Sequence, residues 1–194
     1  MRIGEIERET LETKIRVKVN LDGQGSTYIK TGIGFLDHML TLLGKHSFLD
    51  LEVEAQGDLE VDYHHTVEDV GICLGLALKE ALGDKKGIKR YGTSFLPMDE
   101  SLAMASLDIS NRPYLVFDVG FPGEYIGSFP TELVEEFWRA LAFQAGMTLH
   151  LRLLYGVNNH HIAEALFKGF AKALGEAVTL DPRIKGVMSS KGAL

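Results

Sequence analysis

Two short stretches hold the densest chemistry in the chain: Asp62-Tyr63-His64-His65-Thr66-Val67-Glu68 and Asn158-Asn159-His160-His161-Ile162-Ala163-Glu164. Each sets a pair of adjacent histidines three residues before a glutamate, and the copies lie 96 residues apart in a chain of 194. That spacing is close to half the length and suggests a duplicated half. Where a helix starts at the pair, successive side chains diverge by about 100°, so adjacent histidines serve different ions. Residues four apart share a face, which pairs His64 with Glu68 and His160 with Glu164. His65 and His161 then point toward a second centre. Two copies combined give two metal sites, each with a His/Glu pair from one copy and a lone histidine from the other. Imidazole and carboxylate without thiolate suit Mn²⁺, Zn²⁺ or Fe²⁺. A helix-start cluster with merely hydrogen-bonded imidazoles explains one copy as well as a metal does, but explains two matching copies poorly.

The elements that must position these groups follow from hydrophobic period and punctuation. Arg2 to Glu9 and Thr13 to Leu21 read as strands, and Ile15-Arg16-Val17-Lys18-Val19 alternates as a strand with one wet face does. Asp22-Gly23-Gln24-Gly25 is turn chemistry. Leu36 to His46 carries apolar residues at helical spacing, Leu49 to Val53 alternates, and a helix from His65 to Leu82 buries Val67, Val70, Leu74, Leu78 and Ala81. Gly83-Asp84-Lys85-Lys86-Gly87 ends that helix and marks the junction of two half-repeats, 1–86 and 87–194, within one compact unit. The order then recurs: strands at Tyr91 to Met98, Leu102 to Ile109 and Tyr114 to Val119, a helix at Leu133 to Ala145, a strand at Met147 to Leu154 and a helix at His160 to Val178. The expected fold is α+β, two similar halves of one small mixed sheet and two helices each, with the helices packed between the sheets. Ser189-Ser190-Lys191-Gly192 reads as a mobile tail unless a ligand orders it.

Composition narrows the classes. A formal charge of −7 argues against a nucleic-acid partner, whose binding rests on clustered Lys and Arg. Cys73 is the only cysteine and sits in an apolar run, so no intrachain disulfide forms and a cytoplasmic setting is expected. That run is too short to span a bilayer, and Met1 to Leu11, with Glu5, Glu7 and Glu9, lacks the apolar core of a signal peptide. His46 and His150 fall outside the twin pattern and read as structural.

Four segments sharpen the reading: Gly32-Ile33-Gly34-Phe35-Leu36-Asp37-His38-Met39-Leu40, Tyr63-His64-His65-Thr66-Val67-Glu68-Asp69, Ser110-Asn111-Arg112-Pro113-Tyr114, and Asn159-His160-His161-Ile162-Ala163-Glu164-Ala165-Leu166-Phe167-Lys168. Together, and in this order, they resemble the imidazoleglycerol-phosphate dehydratase family, from the first strand to the final Ser-Lys-Gly. The resemblance implies conversion of imidazole glycerol phosphate to imidazole acetol phosphate with two Mn²⁺ ions per active site. One ion would take His38, His65, His160 and Glu164; the other would take His64, Glu68, His161 and a second-half helix residue, which is His in many members and Glu136 here. Gly34, where many relatives carry Pro, and Tyr63, where many carry Asp, are milder departures that remove no ligand.

Further roles rest on the same resemblance. Dehydration removes a hydrogen from a carbon beside the imidazole with no carbonyl to accept the electrons, so metals at both ring nitrogens would stabilise an imidazolate and a diazafulvene-like intermediate. Glu12 and Glu164 are the candidate proton carriers, which need hydrogen-bond reach of the reacting atoms, and Asp99 is a candidate supporting group. Glu12, His38, His64 and His160 would contact substrate, and Arg90, Arg112, Lys168, Ser189, Ser190 and Lys191 would grip its phosphate. For Lys168 the spacing adds support, since it lies four residues past Glu164 on the same face. Arg112 precedes Pro113 in a turn, where a guanidinium presents a two-pronged donor to phosphate. The family also implies a closed homo-oligomer of twenty-four chains with active sites shared between neighbours. Two other classes remain: a dinuclear hydrolase, which would release phosphate, and a non-catalytic protein whose metals only join an assembly. Inhibition by a triazole mimic of the ring separates all three.

Overall fold

The computed structural model describes residues 1–194. The first half forms a four-stranded sheet from β1 (Ile3–Glu9), β2 (Thr13–Asn20), β3 (Thr27–Lys30) and β4 (Asp50–Gly57), in the order β1-β2-β4-β3. β1, β2 and β4 are antiparallel, and Val17 pairs with both Ile6 and Val53. Ile15, Val17, Val19, Leu51 and Val53 turn to the buried face, so the alternation seen in the sequence becomes one face of the core. β3 runs parallel to β4, and a parallel pair needs a crossover, which is α1 (Gly34–Ser47). α2 (His64–Leu82) follows β4 and lies against β1 and β2.

The second half repeats this plan. β5 (Tyr91–Met98), β6 (Ser101–Asp108), β7 (Tyr114–Asp118) and β10 (Thr148–Tyr155) form a sheet ordered β5-β6-β10-β7, with β7 parallel to β10 and α3 (Glu132–Ala145) as the crossover. α4 (Asn159–Ala177) covers β5 and β6. The one addition is a small hairpin, β8 (Tyr125–Ile126) and β9 (Phe129–Pro130), inserted between β7 and α3.

The halves join through their helices, α1 against α4 and α3 against α2, so all four lie between the two sheets. Trp138 and Phe137 of α3 meet Phe167 and Phe170 of α4, with Trp138 ring centroids 4.5 Å from Phe167 and 4.7 Å from Phe170. The α2/α3 seam is close because Gly71 and Gly75 line it: a Cβ at Gly71 would lie 2.8 Å from the Phe137 carbonyl oxygen, and one at Gly75 would lie 2.6 Å from that of Leu141. No helix is long and apolar enough to cross a membrane.

The structure departs from the sequence reading at particular places. β3 and the β8/β9 hairpin were not expected, because four-residue and two-residue strands carry no readable alternation. β4 extends to Gly57, past the Val53 end the apolar residues suggested, since its outer half, Glu54-Ala55-Gln56-Gly57, turns only the small Ala55 toward the core. α2 and α4 each start one residue before the expected histidine. The carboxyl-terminal tail is tied down rather than free: Met188 O accepts from Arg90 Nη1 at 2.6 Å, and Leu194 O accepts from Asn111 Nδ2 at 3.0 Å.

Candidate metal centre and substrate site

The packing of α1 on α4 brings three sequence-distant donors into one group. His38 Nε2 is 3.5 Å and His160 Nε2 is 3.2 Å from Glu164 Oε2, and the donor atoms of the three residues all lie within 4.8 Å of one another. An ion about 2.1 Å from each donor places neighbouring donors about 3 Å apart, close to the separations of both histidines from Glu164. The helix start that presents His160 is firmly set. Asn158 caps α4 by accepting from the backbone N–H groups of His160 and His161. Phe35 packs edge-on to the His160 ring, centroids 5.5 Å apart, and Asn159 ties the β8/β9 hairpin to α4 through Gly123 O and Tyr125 O.

Glu164 is buried, and Lys168 pairs with it from one turn further along α4. Burial pushes the Glu164 carboxyl up, but the Lys168 ion pair and the bonds to His160 and His38 outweigh it and hold the pKa below the usual carboxylate value. The carboxylate therefore stands ready as an anionic ligand.

The remaining sequence candidates occupy other corners of the chain. His64 Nε2 faces Glu68 Oε2 at 3.8 Å on the outer face of α2. His65 Nδ1 is 3.0 Å from Asp58 Oδ2 and 3.8 Å from Glu12. His161 Nδ1 is 2.6 Å from Glu100 Oε2, and Asp99 is 3.7 Å from its other ring nitrogen. Hydrogen bonding to Asp58 raises the His65 pKa, and bonding to Glu100 raises that of His161. Glu136, the fifth residue of α3 as His38 is of α1, pairs loosely with Arg139 at 3.9 Å. Within one chain His65 and His161 thus join neither each other nor the trio.

The cations assigned to phosphate divide. Lys168 sits beside the trio. Arg90 is buried, holds Asp108 through Nε and Nη2 at 2.6 and 3.0 Å, and spends Nη1 on the tail. Arg112 is exposed and shares the same carboxylate at 3.2 Å. Ser189, Ser190 and Lys191 follow directly on the anchored Met188, so five of the six phosphate candidates cluster around Asp108 and the tail. Asp108 ends β6, whose other end adjoins Glu100 and His161; eight strand residues separate these ends by about 24 Å.

Sequence reasoning missed Asp58 altogether. It follows β4 in a polar stretch, and only the packed structure shows that it reaches His65. Glu100, next to the candidate Asp99, has no role in the sequence reading either. The signal available was the duplication itself, because Glu12 immediately precedes β2 as Glu100 immediately precedes β6.

Known proteins agree with one another. A sequence model described as imidazoleglycerol-phosphate dehydratase matches residues 31–174. The imidazoleglycerol-phosphate dehydratase of Alkaliphilus metalliredigens is 62% identical over 188 residues, 97% of this chain and 96% of that protein. That of Clostridium kluyveri is 59% identical over 194 residues, the whole of both. Among solved structures, the Staphylococcus aureus enzyme superposes with a TM-score of 0.84 at 47% identity, covering 92% of this chain and 99% of that one. The Pyrococcus furiosus enzyme gives 0.84 at 39% identity, covering 97% and 100%. The chain therefore belongs to the imidazoleglycerol-phosphate dehydratase family, carbon–oxygen hydro-lyases of histidine biosynthesis.

Proposed function

We propose that the chain dehydrates imidazole glycerol phosphate to imidazole acetol phosphate by way of a diazafulvene-like intermediate, with two Mn²⁺ ions in each active site. The observation that carries this is the trio His38, His160 and Glu164, closed by Lys168 on the same helix face. His65 would complete the site of the trio, and His64, Glu68, His161 and Glu136 would hold the second ion. When bound, the ions supply Lewis acidity at the ring nitrogens, which draws off the electrons released as the C–H bond breaks.

The chain's own groups do the rest. Glu164 is committed to His38, His160 and Lys168, whereas Glu12 is 54% exposed and has only the distant His65 ring beside it. Glu12 is therefore the carboxylate left to move a proton. Arg112, the tail and Lys168 would hold the phosphate.

Two features support a site assembled from several copies of the chain, as in a homo-oligomer of twenty-four. His65 lies away from the trio it would complete and His161 is not grouped with His64 and Glu68, and the Arg112 cluster lies at the far end of β6. The test is a cytoplasm-like assay with purified Mn²⁺-loaded protein: an enolisable ketone should form with phosphate retained. Release of inorganic phosphate instead would favour a hydrolase. Mixing His160→Ala and Arg112→Ala chains, each inactive alone, should restore part of the turnover if neighbours share sites; no recovery in verified mixed assemblies would refute sharing.

A further inference from the structure

The two halves repeat, yet they treat equivalent carboxylates differently. Glu12 and Glu100 each stand immediately before the second strand of their sheet, at the tip of the β1/β2 and β5/β6 hairpins. Glu100 is fully engaged. Its Oε1 accepts from the backbone N–H of Asn158 at 2.9 Å, from that of Val157 at 3.2 Å and from Ser101 Oγ at 2.9 Å, while Oε2 meets His161 Nδ1 at 2.6 Å. Glu12 makes no such bonds.

In the first half the task falls to another residue. Asp58 Oδ2 lies 3.0 Å from His65 Nδ1, and the Asp58 backbone N–H donates to Glu12 O at 3.2 Å, which fixes its place beside the hairpin. A bulge in β10 pairs Tyr155 with Leu102 and so sets Gly156 opposite Ser101, as Gly57 stands opposite Thr13; the residue equivalent to Asp58 in the second half is therefore Val157. Val157 has no carboxylate to offer, and its backbone N–H donates to Glu100 Oε1 instead. Each half thus supplies one carboxylate to Nδ1 of the second histidine of its pair, from a different position.

We propose that Asp58 and Glu100 are positioning residues of the two metal sites: by accepting the Nδ1–H of His65 and of His161 they present Nε2 of each ring as the donor to the ion. A carboxylate behind a metal-binding imidazole fixes its tautomer and orientation and raises its basicity. The unequal placement has a consequence. Because Asp58 does this work in the first half, Glu12 is left free for proton transfer, while its counterpart Glu100 is consumed in orienting a ligand. The inference rests on His65 and His161 being metal ligands, as proposed above.

The experiment measures Mn²⁺ affinity by calorimetry and bound Mn²⁺ per chain. Asp58→Ala and Glu100→Ala should each weaken Mn²⁺ binding about 10- to 100-fold. Asp58→Asn and Glu100→Gln, which keep an acceptor oxygen at nearly the same place, should recover part of that loss and also guard against misfolding of the alanine variants. Glu12→Gln should leave Mn²⁺ affinity unchanged while turnover falls. Unchanged Mn²⁺ affinity in folded Asp58→Ala and Glu100→Ala, with His65→Ala and His161→Ala weakened, would overturn the positioning roles alone. Unchanged affinity in the histidine variants would instead overturn the ligand assignment beneath them.

Discussion

The corner where α1 meets α4 and the corner where α2 meets α3 are built on the same plan and finished differently. At the first, His38, His160 and Glu164 already converge, Glu164 is only 8% exposed, and Lys168 balances its charge. At the second, His64 and Glu68 are each nearly half exposed, and the fifth residue of the crossover helix is Glu136 rather than a histidine. Even the helix starts differ: Asn158 caps α4 with its side chain, whereas Tyr63 offers α2 none and Asp62 reaches only His64 N. A duplicated scaffold therefore fixes where ligands can stand without fixing how tightly they are held. The finished corner is preorganised within one chain, and the open corner depends more on what it binds.

Substitutions can break this contrast, beginning with the most damaging. His160→Ala removes a member of the preorganised trio and should abolish turnover while Mn²⁺ per chain falls; full activity would refute the ligand role. His64→Ala should also stop turnover, and a smaller loss of bound metal than in His160→Ala would show that the open corner contributes less to affinity. Lys168→Ala removes one charged contact, worth roughly 1.5–3 kcal/mol, so KM for the phosphate substrate should rise about 10- to 100-fold. An unchanged KM would count against a phosphate role. Glu136→Ala should lower occupancy of one ion only, read as metal stoichiometry, and unaltered stoichiometry would assign Glu136 to solvent. The smallest effect concerns the caps. Asn158→Ala should cost about 1 kcal/mol in urea unfolding, against less for Tyr63→Ala at the uncapped start, provided the chemistry of each helix end decides its stability.

The parts legible in sequence were those governed by local pattern. The stripes of α2 and α4 follow a 3.6-residue period, and His160 with Glu164 follows from four-residue spacing on one helix. What spacing could not give was partnership across the halves: only the packing of α1 on α4 places His38 against His160, and the family resemblance, not the period, had named that grouping. Asp58 was invisible because a lone aspartate after a polar strand looks like any turn residue. Arg90 is similar: the chain alone does not reveal that a buried guanidinium, in a backbone conformation with φ of 74°, spends its donors on Asp108 and the tail.

The absence of side chains at Gly71 and Gly75 has a reach beyond core packing. The seam between α2 and α3 leaves no room for a side chain at Gly75, so one methyl group added there would push apart α2, which carries His64 and Glu68, and α3, which carries Glu136. A position that touches none of the candidate ligands thus sets how far apart they stand, through the thickness of the joint on which they are mounted.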